Sequence, residues 1–221
     1  MTYPIFTALW EKHLRKRVIR TADRPRGFGG NLMIVKMNLA HTPLSLWGLG
    51  FLTVPPGACC LDIGCGGGHN MHRLLARSGD GRVCGIDISK LSVRRSALHN
   101  LPALLNGRAS VRRGSAGNLP WRDGYFDVVT AFETVYYWPD LPAAFREVQR
   151  VLRRGGTFLI CNEDMAYEDE PHAHDAIAEI LPIRFYTNEA LKNMLLQAGF
   201  DRVEVHPHKN GSWVSLIAHK F

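Results

Sequence analysis

Two aspartates flank a glycine-rich turn. Asp62 lies two residues before Gly64-Cys65-Gly66-Gly67-Gly68, and Asp87 closes the next apolar run. A glycine turn between a strand and a helix lets a ligand approach bare backbone and presents amide groups at the helix N-terminus. A carboxylate at the end of the following strand sits where a ribose lies and accepts both of its hydroxyl protons. The glycine spacing is GxGxG, because the residue three past Gly66 is His69, so the nicotinamide fingerprint GxGxxG is not met. The fixed charge of Asp62 repels a pyrophosphate and suits a cation. A ligand with an ammonium, a sulfonium, a ribose and no phosphate fits these acids, which favours S-adenosylmethionine over a dinucleotide.

The elements that must position these residues are legible around them. Cys59-Cys60-Leu61-Asp62-Ile63 reads as a strand entering the turn, and Met71, Leu74 and Leu75 mark the helix after it. Val83-Cys84-Gly85-Ile86-Asp87-Ile88 is a second strand, and Ser89 is the expected N-cap of the next helix. Ser110–Arg113, Phe126–Phe132 and Thr157–Cys161 give three more strands. Between the last two, Asp140 opens a helix with Leu141, Phe145, Val148 and Leu152 on one face, and Gly155-Gly156 is expected to stop it. A helix over residues 187–198 precedes two β-rich runs, Val203–His206 and Trp213–Ala218, joined through Asn210-Gly211, a hairpin signal. Short apolar strands alternating with amphipathic helices imply a parallel sheet covered on both faces. Upstream, residues 5–20 carry a helical apolar stripe of Phe6, Trp10, Leu14 and Val18, and Arg20–Gly30 is a glycine-rich break. Helical patterns resume through Leu32–Ala40 and Leu44–Leu52, and Pro55-Pro56-Gly57 closes this front segment. The expected organisation is residues 1–56 as a basic helical extension or lid and residues 57–221 as one α/β domain.

Composition narrows the classes further. With 221 residues, 46% apolar and 21% charged, the chain matches one packed domain and excludes collagen-like, coiled-coil and wholly disordered classes. The net charge of +7 is uneven: residues 1–56 hold +6 of it, and the body is close to neutral. Five cysteines without a paired CxxC read as reduced thiols, and the N-terminus lacks a secretory apolar region, so a cytoplasmic location is expected. The most apolar stretch, Pro43–Leu61, is too interrupted by proline and glycine to be a membrane span.

Leu61–Gly68 with Gly85-Ile86-Asp87-Ile88-Ser89 resembles the first two motifs of the class I S-adenosylmethionine-dependent methyltransferases. The likeness continues in Gly114–Trp121, in Phe126-Asp127-Val128-Val129 and in Val151–Gly156. Over residues 58–221 the chain most resembles the ubiquinone/menaquinone-methyltransferase-like (type 11) subgroup. That resemblance implies a Rossmann-like seven-stranded sheet, mostly parallel, with an antiparallel C-terminal hairpin strand and helices on both faces. It implies that Asp62 and the loop Gly64, Cys65, Gly66 and Gly68 hold the methionyl end. Asp87 would hold the ribose, Ile88 would pack on the adenine, and Ala116 is the small residue beside the ring. Many members have Asp where this chain has Ser115, which still accepts a hydrogen bond, though a weaker one.

Methyl transfer is an in-line displacement that chiefly needs a positioned nucleophile and a dry site. In the resembling fold the end of the fourth strand faces this site, here Phe132-Glu133-Thr134-Val135-Tyr136-Tyr137-Trp138. Glu133 is assigned to cofactor positioning, and Tyr136 and Tyr137 either orient the nucleophile or pack as core. His41 and Trp47, within a stretch from Met37, are lid or substrate candidates, as is Tyr186; the alternative is a helix packed on the sheet edge. The acidic stretch Tyr167–Asp175 contains His172, His174 and Asp175, but lacks a third distant ligand, so no metal centre is expected. Arg15, Lys16, Arg17 and Arg20 read as a solvated face, a contact for an anionic substrate or nucleic acid, or a membrane-surface helix. The expected activity is methyl transfer to a small molecule. The alternatives are an RNA or protein methyltransferase engaged through the basic front, or a non-enzymatic cofactor-binding module. The methyl acceptor and the oligomeric state are not legible.

Overall fold

The protein is described by a computed structural model covering residues 25–163, 184–209 and 213–221. The basic stretch at Arg15–Arg20, the Tyr167–Asp175 segment and the Asn210–Ser212 turn lie outside the described residues.

Two helices come first, α1 (Gly27–Ala40) and α2 (Thr42–Leu49). Then follow β1 (Cys59–Ile63), α3 (His69–Arg77), β2 (Arg82–Asp87), α4 (Lys90–His99), α5 (Leu101–Leu105) and β3 (Ala109–Arg113). The second half contains β4 (Phe126–Phe132), a 3-10 turn (Val135–Tyr137), α6 (Leu141–Val151), β5 (Leu152–Glu163), α7 (Asn188–Gln197), β6 (Arg202–Pro207) and β7 (Trp213–Lys220).

The strands form one seven-stranded sheet in the order β3-β2-β1-β4-β5-β7-β6. The pairings among β1 to β5 are parallel, whereas β7 runs antiparallel to both β5 and β6. Sequence order reverses at β1, which lies between β2 and β4; open α/β sheets bind ligands at the strand ends of such a switch point.

Period-two alternation divides the apolar side chains between two cores. On one face Leu61, Ile63, Ile86, Val129, Phe158 and Ile160 meet Phe145 and Val148 of α6 and Leu191 and Leu195 of α7. On the other, Cys60, Val83, Val128, Leu159 and Cys161 meet Met71 and Leu74 of α3 and Leu44 and Leu49 of α2. Burial on both faces explains why β1, β4 and β5 read as nearly continuous apolar runs.

Local capping sets the helix starts. Ser89 Oγ accepts the Ser92 N–H at 3.2 Å, Asp140 Oδ1 accepts that of Ala143 at 2.9 Å, and Thr187 Oγ1 accepts that of Ala190 at 3.1 Å.

Two boundaries differ from expectation. The break expected over Arg20–Gly30 already gives way to helix at Gly27. Ser89 Oγ donates to Pro25 O at 3.0 Å, which ties the chain to α4 just before α1 begins, and tertiary packing then outweighs weak glycine propensity. Strand β5 begins at Leu152, ahead of the glycine pair expected to separate helix from strand, because Leu152 pairs with Phe126 before the ladder shifts register and resumes at Thr157. Pairing to a neighbouring strand is invisible to a helical periodicity. Among the described residues no helix is long and apolar enough to cross a membrane.

Candidate functional site

A cavity of about 450 Å³ opens at the switch point, within the range that holds small ligands. Its walls come from the loop after β1, the start of α3, the end of β2, Gly114–Gly117, Phe132–Thr134, Tyr137–Asp140 and the front helix α1.

The glycine loop is folded onto β2. The N–H groups of Gly64 and Cys65 both donate to Ile86 O, at 2.8 and 3.1 Å. Asp87 then fixes the loop from beneath: Oδ2 accepts the Gly66 N–H at 3.0 Å, and Oδ1 accepts the Ser89 N–H at 2.8 Å. Gly66 has φ +50°, and a β-carbon built there would find open space apart from Gly64 O at 3.9 Å. Gly67 does the opposite: a β-carbon there would come within 2.9 Å of Ile34 Cγ2, so α1 rests directly on the loop. Burial raises the Asp87 pKa, opposed by the two backbone N–H groups and by Ser92.

Asp62 is buried beneath the loop, with Oδ1 accepting from Thr130 Oγ1 at 2.8 Å. Burial raises its pKa to about 7, with Thr130 and Arg73 opposing the rise and Asp87 adding to it. Cys65 is buried and its thiol is pushed well above the usual range, so it lines the cavity as a neutral group.

At the other end Glu133 has φ +55°, the single positive φ of a non-glycine among the described residues. A backbone held there costs about 1–3 kcal/mol. What holds it is a set of bonds: its N–H donates to Cys161 O at 3.0 Å, Oε2 accepts from the Tyr136 hydroxyl at 2.9 Å, and Oε1 accepts the Glu163 N–H. His41 Nε2 lies 3.7 Å from Glu133 Oε2. Burial holds the His41 pKa below its ordinary value, partly countered by the charge of Glu163. The carboxylates of Glu133 and Glu163 and the imidazole of His41 bring ligand-type atoms within 4.8 Å of one another. Such a group can take up a proton or face a cation. The sequence reading, which looked for metal ligands near His172, did not see this convergence from three separate elements.

Of the residues singled out in the sequence, Gly64, Cys65, Gly66, Asp87, Ile88, Ser115, Ala116, Glu133, Tyr137 and His41 lie on the cavity wall. The other five do not. Asp62 lies under the loop, and Gly68 lies against α4, its carbonyl accepting from Asn100 Nδ2 at 3.0 Å. Tyr136 buttresses Glu133 rather than lining the cavity. Trp47 belongs to an aromatic cluster with Phe51, His208 and Trp213, at ring distances of 5.2, 5.0 and 6.1 Å, so it packs α2 against the C-terminal hairpin. Tyr186 packs against the core around α6 and α7, just before the Thr187 cap.

The wall also carries residues that the sequence reading passed over, above all His69, Asn70 and Arg73 of α3. The available signal was helical spacing: Arg73 lies four residues after His69 and so shares its face. His69 stacks on His99 at 4.0 Å, and burial with the neighbouring cations lowers its pKa to about 4.

These features fit a cationic sulfonium nucleoside: an open backbone approach at Gly66, buried acids beside and beneath the loop, and a small Ala116 at the adenine side. Residues 61–160 match the family described as Methyltransferase domain. Over 108 residues the chain is 37% identical to 24-methylenesterol C-methyltransferase 2 of Oryza sativa subsp. japonica, covering 49% of this chain and 30% of that protein. Over 162 residues it is 32% identical to 27-O-demethylrifamycin SV methyltransferase of Amycolatopsis mediterranei (strain S699), covering 73% of this chain and 56% of that protein. The chain therefore spans about a third to about a half of the length of these relatives. The fold is also that of geranyl diphosphate C-methyltransferase from Streptomyces coelicolor A3(2), solved with Mg2+, geranyl diphosphate and S-adenosyl-L-homocysteine. That likeness has a TM-score of 0.68 at 13% identity, over 89% of this chain and 86% of that one.

Proposed function

Because the chain belongs to the class I S-adenosylmethionine-dependent methyltransferases, we propose that it methylates a small-molecule acceptor by in-line displacement at the Glu133–Tyr137 end of the cavity. When bound, S-adenosylmethionine supplies an electrophilic methyl group on a cationic sulfur. The observation that carries the reading is the polarity of the cavity: a backbone cradle with Asp87 at one end, and Glu133, His41, Tyr137 and Trp138 at the other.

The chain's own residues have distinct parts in this reading. Asp87, already fixed by the Gly66 and Ser89 N–H groups, accepts the ribose hydroxyls through its remaining lone pairs. Ile88 and Ala116 cover the adenine faces, and Ser115 accepts from its edge. Asp62 stabilises the positive charge above the loop without touching the ligand. Tyr137 and Trp138 present ring faces to a cationic methyl and exclude water. Glu133, held by Tyr136, orients the acceptor, and His41 beside it is placed to take a proton from an acidic acceptor group. Residues 1–56 act as a lid in this reading, supported by Ile34, Met37, Asn38 and His41 on the cavity wall.

Equilibrium titration with S-adenosylhomocysteine tests the cofactor half. Asp87→Ala is expected to weaken binding at least tenfold, in line with charge-assisted hydrogen bonds. Release of S-adenosylhomocysteine with a panel of hydroxyl, amine and carbon acceptors tests the transfer. Turnover by no member of the panel, or Asp87→Ala binding as well as wild type, would count against the reading.

A further inference from the structure

Helix α1 is apolar on two opposite faces. At about 100° per residue, Gly30, Ile34, Met37, Asn38 and the C-cap His41 fall on one side of its axis, and Leu32, Val35, Lys36 and Leu39 on the other. The first set is covered. A β-carbon at Gly30 would lie 3.1 Å from Leu91 Cδ2 of α4, and Ile34, Met37, Asn38 and His41 line the cavity. The second set faces outward: Leu32, Val35 and Leu39 are 50%, 38% and 71% exposed, with Lys36 exposed among them. Scattered surface leucines are ordinary, but a row spaced three and four apart on one helix face forms a patch. A helix that is apolar all round is normally buried, so the outward row is the part of α1 still to be covered.

Charge identifies the covering. No Asp or Glu occurs between Pro25 and Leu61, so the formal charges of that stretch are those of Arg26 and Lys36. Residues 1–24, which precede it in the chain, carry six Lys or Arg against Glu11 and Asp23. We propose that the outward face of α1 docks on the surface of an anionic lipid bilayer, with Leu32, Val35 and Leu39 entering the acyl boundary and Lys36 at the headgroup level. Apolar side chains with an interleaved cation and no acid suit a helix lying in a membrane interface. Affinity there combines buried apolar area with attraction to anionic headgroups. The stem of Lys36 follows the leucines into the boundary while its ammonium stays among the headgroups. At 14 residues α1 is about 21 Å long, short of the ~30 Å hydrocarbon core, so it lies on the bilayer rather than across it. A second copy fits less well, because pairing two α1 faces brings two front segments of +6 together. Since the opposite face lines the cavity, docking sets α1 between the lipid surface and the cavity. It goes beyond the cofactor assignment and needs no ligand in the site.

Co-sedimentation of the full chain with vesicles, without cofactor, tests the docking. Wild type is expected to bind vesicles of two parts phosphatidylcholine to one part phosphatidylglycerol at least about tenfold more tightly than pure phosphatidylcholine. Leu32→Ser/Leu39→Ser should weaken that binding about tenfold or more. Its circular dichroism melting curve should stay near wild type, since both side chains are exposed. Lys36→Gln should weaken binding about fivefold, and raising the salt from about 0.1 to 0.5 M should weaken it in every variant. Wild type that stays in solution beside anionic vesicles overturns the proposal. So does a double leucine variant that binds as tightly as wild type, which would assign the vesicle affinity to charge alone. A loss of equal size in Leu105→Ser, at an exposed leucine of α5, would reveal general apolar adhesion and overturn it too. A dimer in sedimentation velocity that Leu39→Ser dissociates would put a second copy on this face instead. If the double variant is unfolded, Leu39→Ser alone, at the most exposed position of the row, decides by the same comparison.

Discussion

At Asp62 the folded chain holds a carboxyl with a pKa of about 7, against 3.8 for the free group. The native state thus binds a proton that the unfolded state releases, so stability falls as pH rises between those values and the loss is complete above about 7. At 1.36 kcal/mol per unit the full difference is at most roughly 4 kcal/mol. Asp62→Asn, an isostere that keeps the contact with Thr130, should flatten this part of the stability profile and raise the melting temperature of the ligand-free protein above pH 7. A cationic ligand reverses the sign, because it favours the ionised form. Cofactor affinity in wild type should therefore increase from pH 5.5 to about 7 and level off. Asp62→Asn should bind more weakly, with a smaller slope, the remainder coming from Asp87, which is shifted the same way, and from His41 and His69, shifted in the opposite direction. Titrations at three pH values decide it: identical slopes in the two proteins would remove Asp62 from the ligand's electrostatics. The presence of this acid was legible in the sequence, but its placement was not. The GxGxG spacing marks a loop, yet only the pairing of Thr130 to it, 68 residues away, makes Asp62 a buried group beneath the loop rather than a contact on its surface.

The elements divide in the same way between what short-range pattern encodes and what packing decides. Strands β1 and β4 were readable to the residue because both faces are buried and the apolar run is broken only by Asp62 in β1 and by Asp127 and Thr130 in β4. Helix α2 was readable as a helix, but its seat was not. Gly48 lies against β5, and a β-carbon there would come within 3.0 Å of Cys161 Cβ, a residue on a distant strand. No local spacing announces that contact. Gly48→Ala should gain about 1 kcal/mol of helix propensity and lose about 1–3 kcal/mol to overpacking of a buried seat. The expected net effect is a loss of about 1–2 kcal/mol, seen as a melting temperature lower by roughly 3–6 °C. A rise in melting temperature would show that α2 shifts without cost and that the core around Leu44 and Leu49 is looser than described. The same logic explains the Glu133 end of the cavity. His41, Glu133 and Glu163 are chemically ordinary in sequence, and the sheet order alone brings β4 and β5 side by side beneath the α1–α2 junction.

Across the whole molecule the +7 charge and the chemistry separate, since the basic excess belongs to residues 1–56 and the acids that suit a sulfonium belong to the body. What connects the two is the cavity. Helix α1 supplies Ile34, Met37 and Asn38 to its wall, yet Leu32 and Leu39 are 50% and 71% exposed, and among its described side chains Ile34 is the one buried large apolar residue. An element held by so few apolar contacts opens at low free energy relative to β1 or β4. A ligand in contact with α1 on one side and the glycine loop on the other adds contacts that the opened state lacks. At a hundredfold excess over its Kd such a ligand contributes about 2.7 kcal/mol against any opening that abolishes binding. Hydrogen exchange with and without S-adenosylhomocysteine should therefore show slowing by up to about a hundredfold in residues 27–40, an upper limit reached when every opening of α1 also expels the ligand. Strands β1 and β4, which exchange only by larger openings, should change less at early times. Protection confined to the loop 64–68, with α1 unchanged, would mean that the front segment packs beside the site without closing it. The lid reading of residues 1–56 would then fail, while the cofactor site stood.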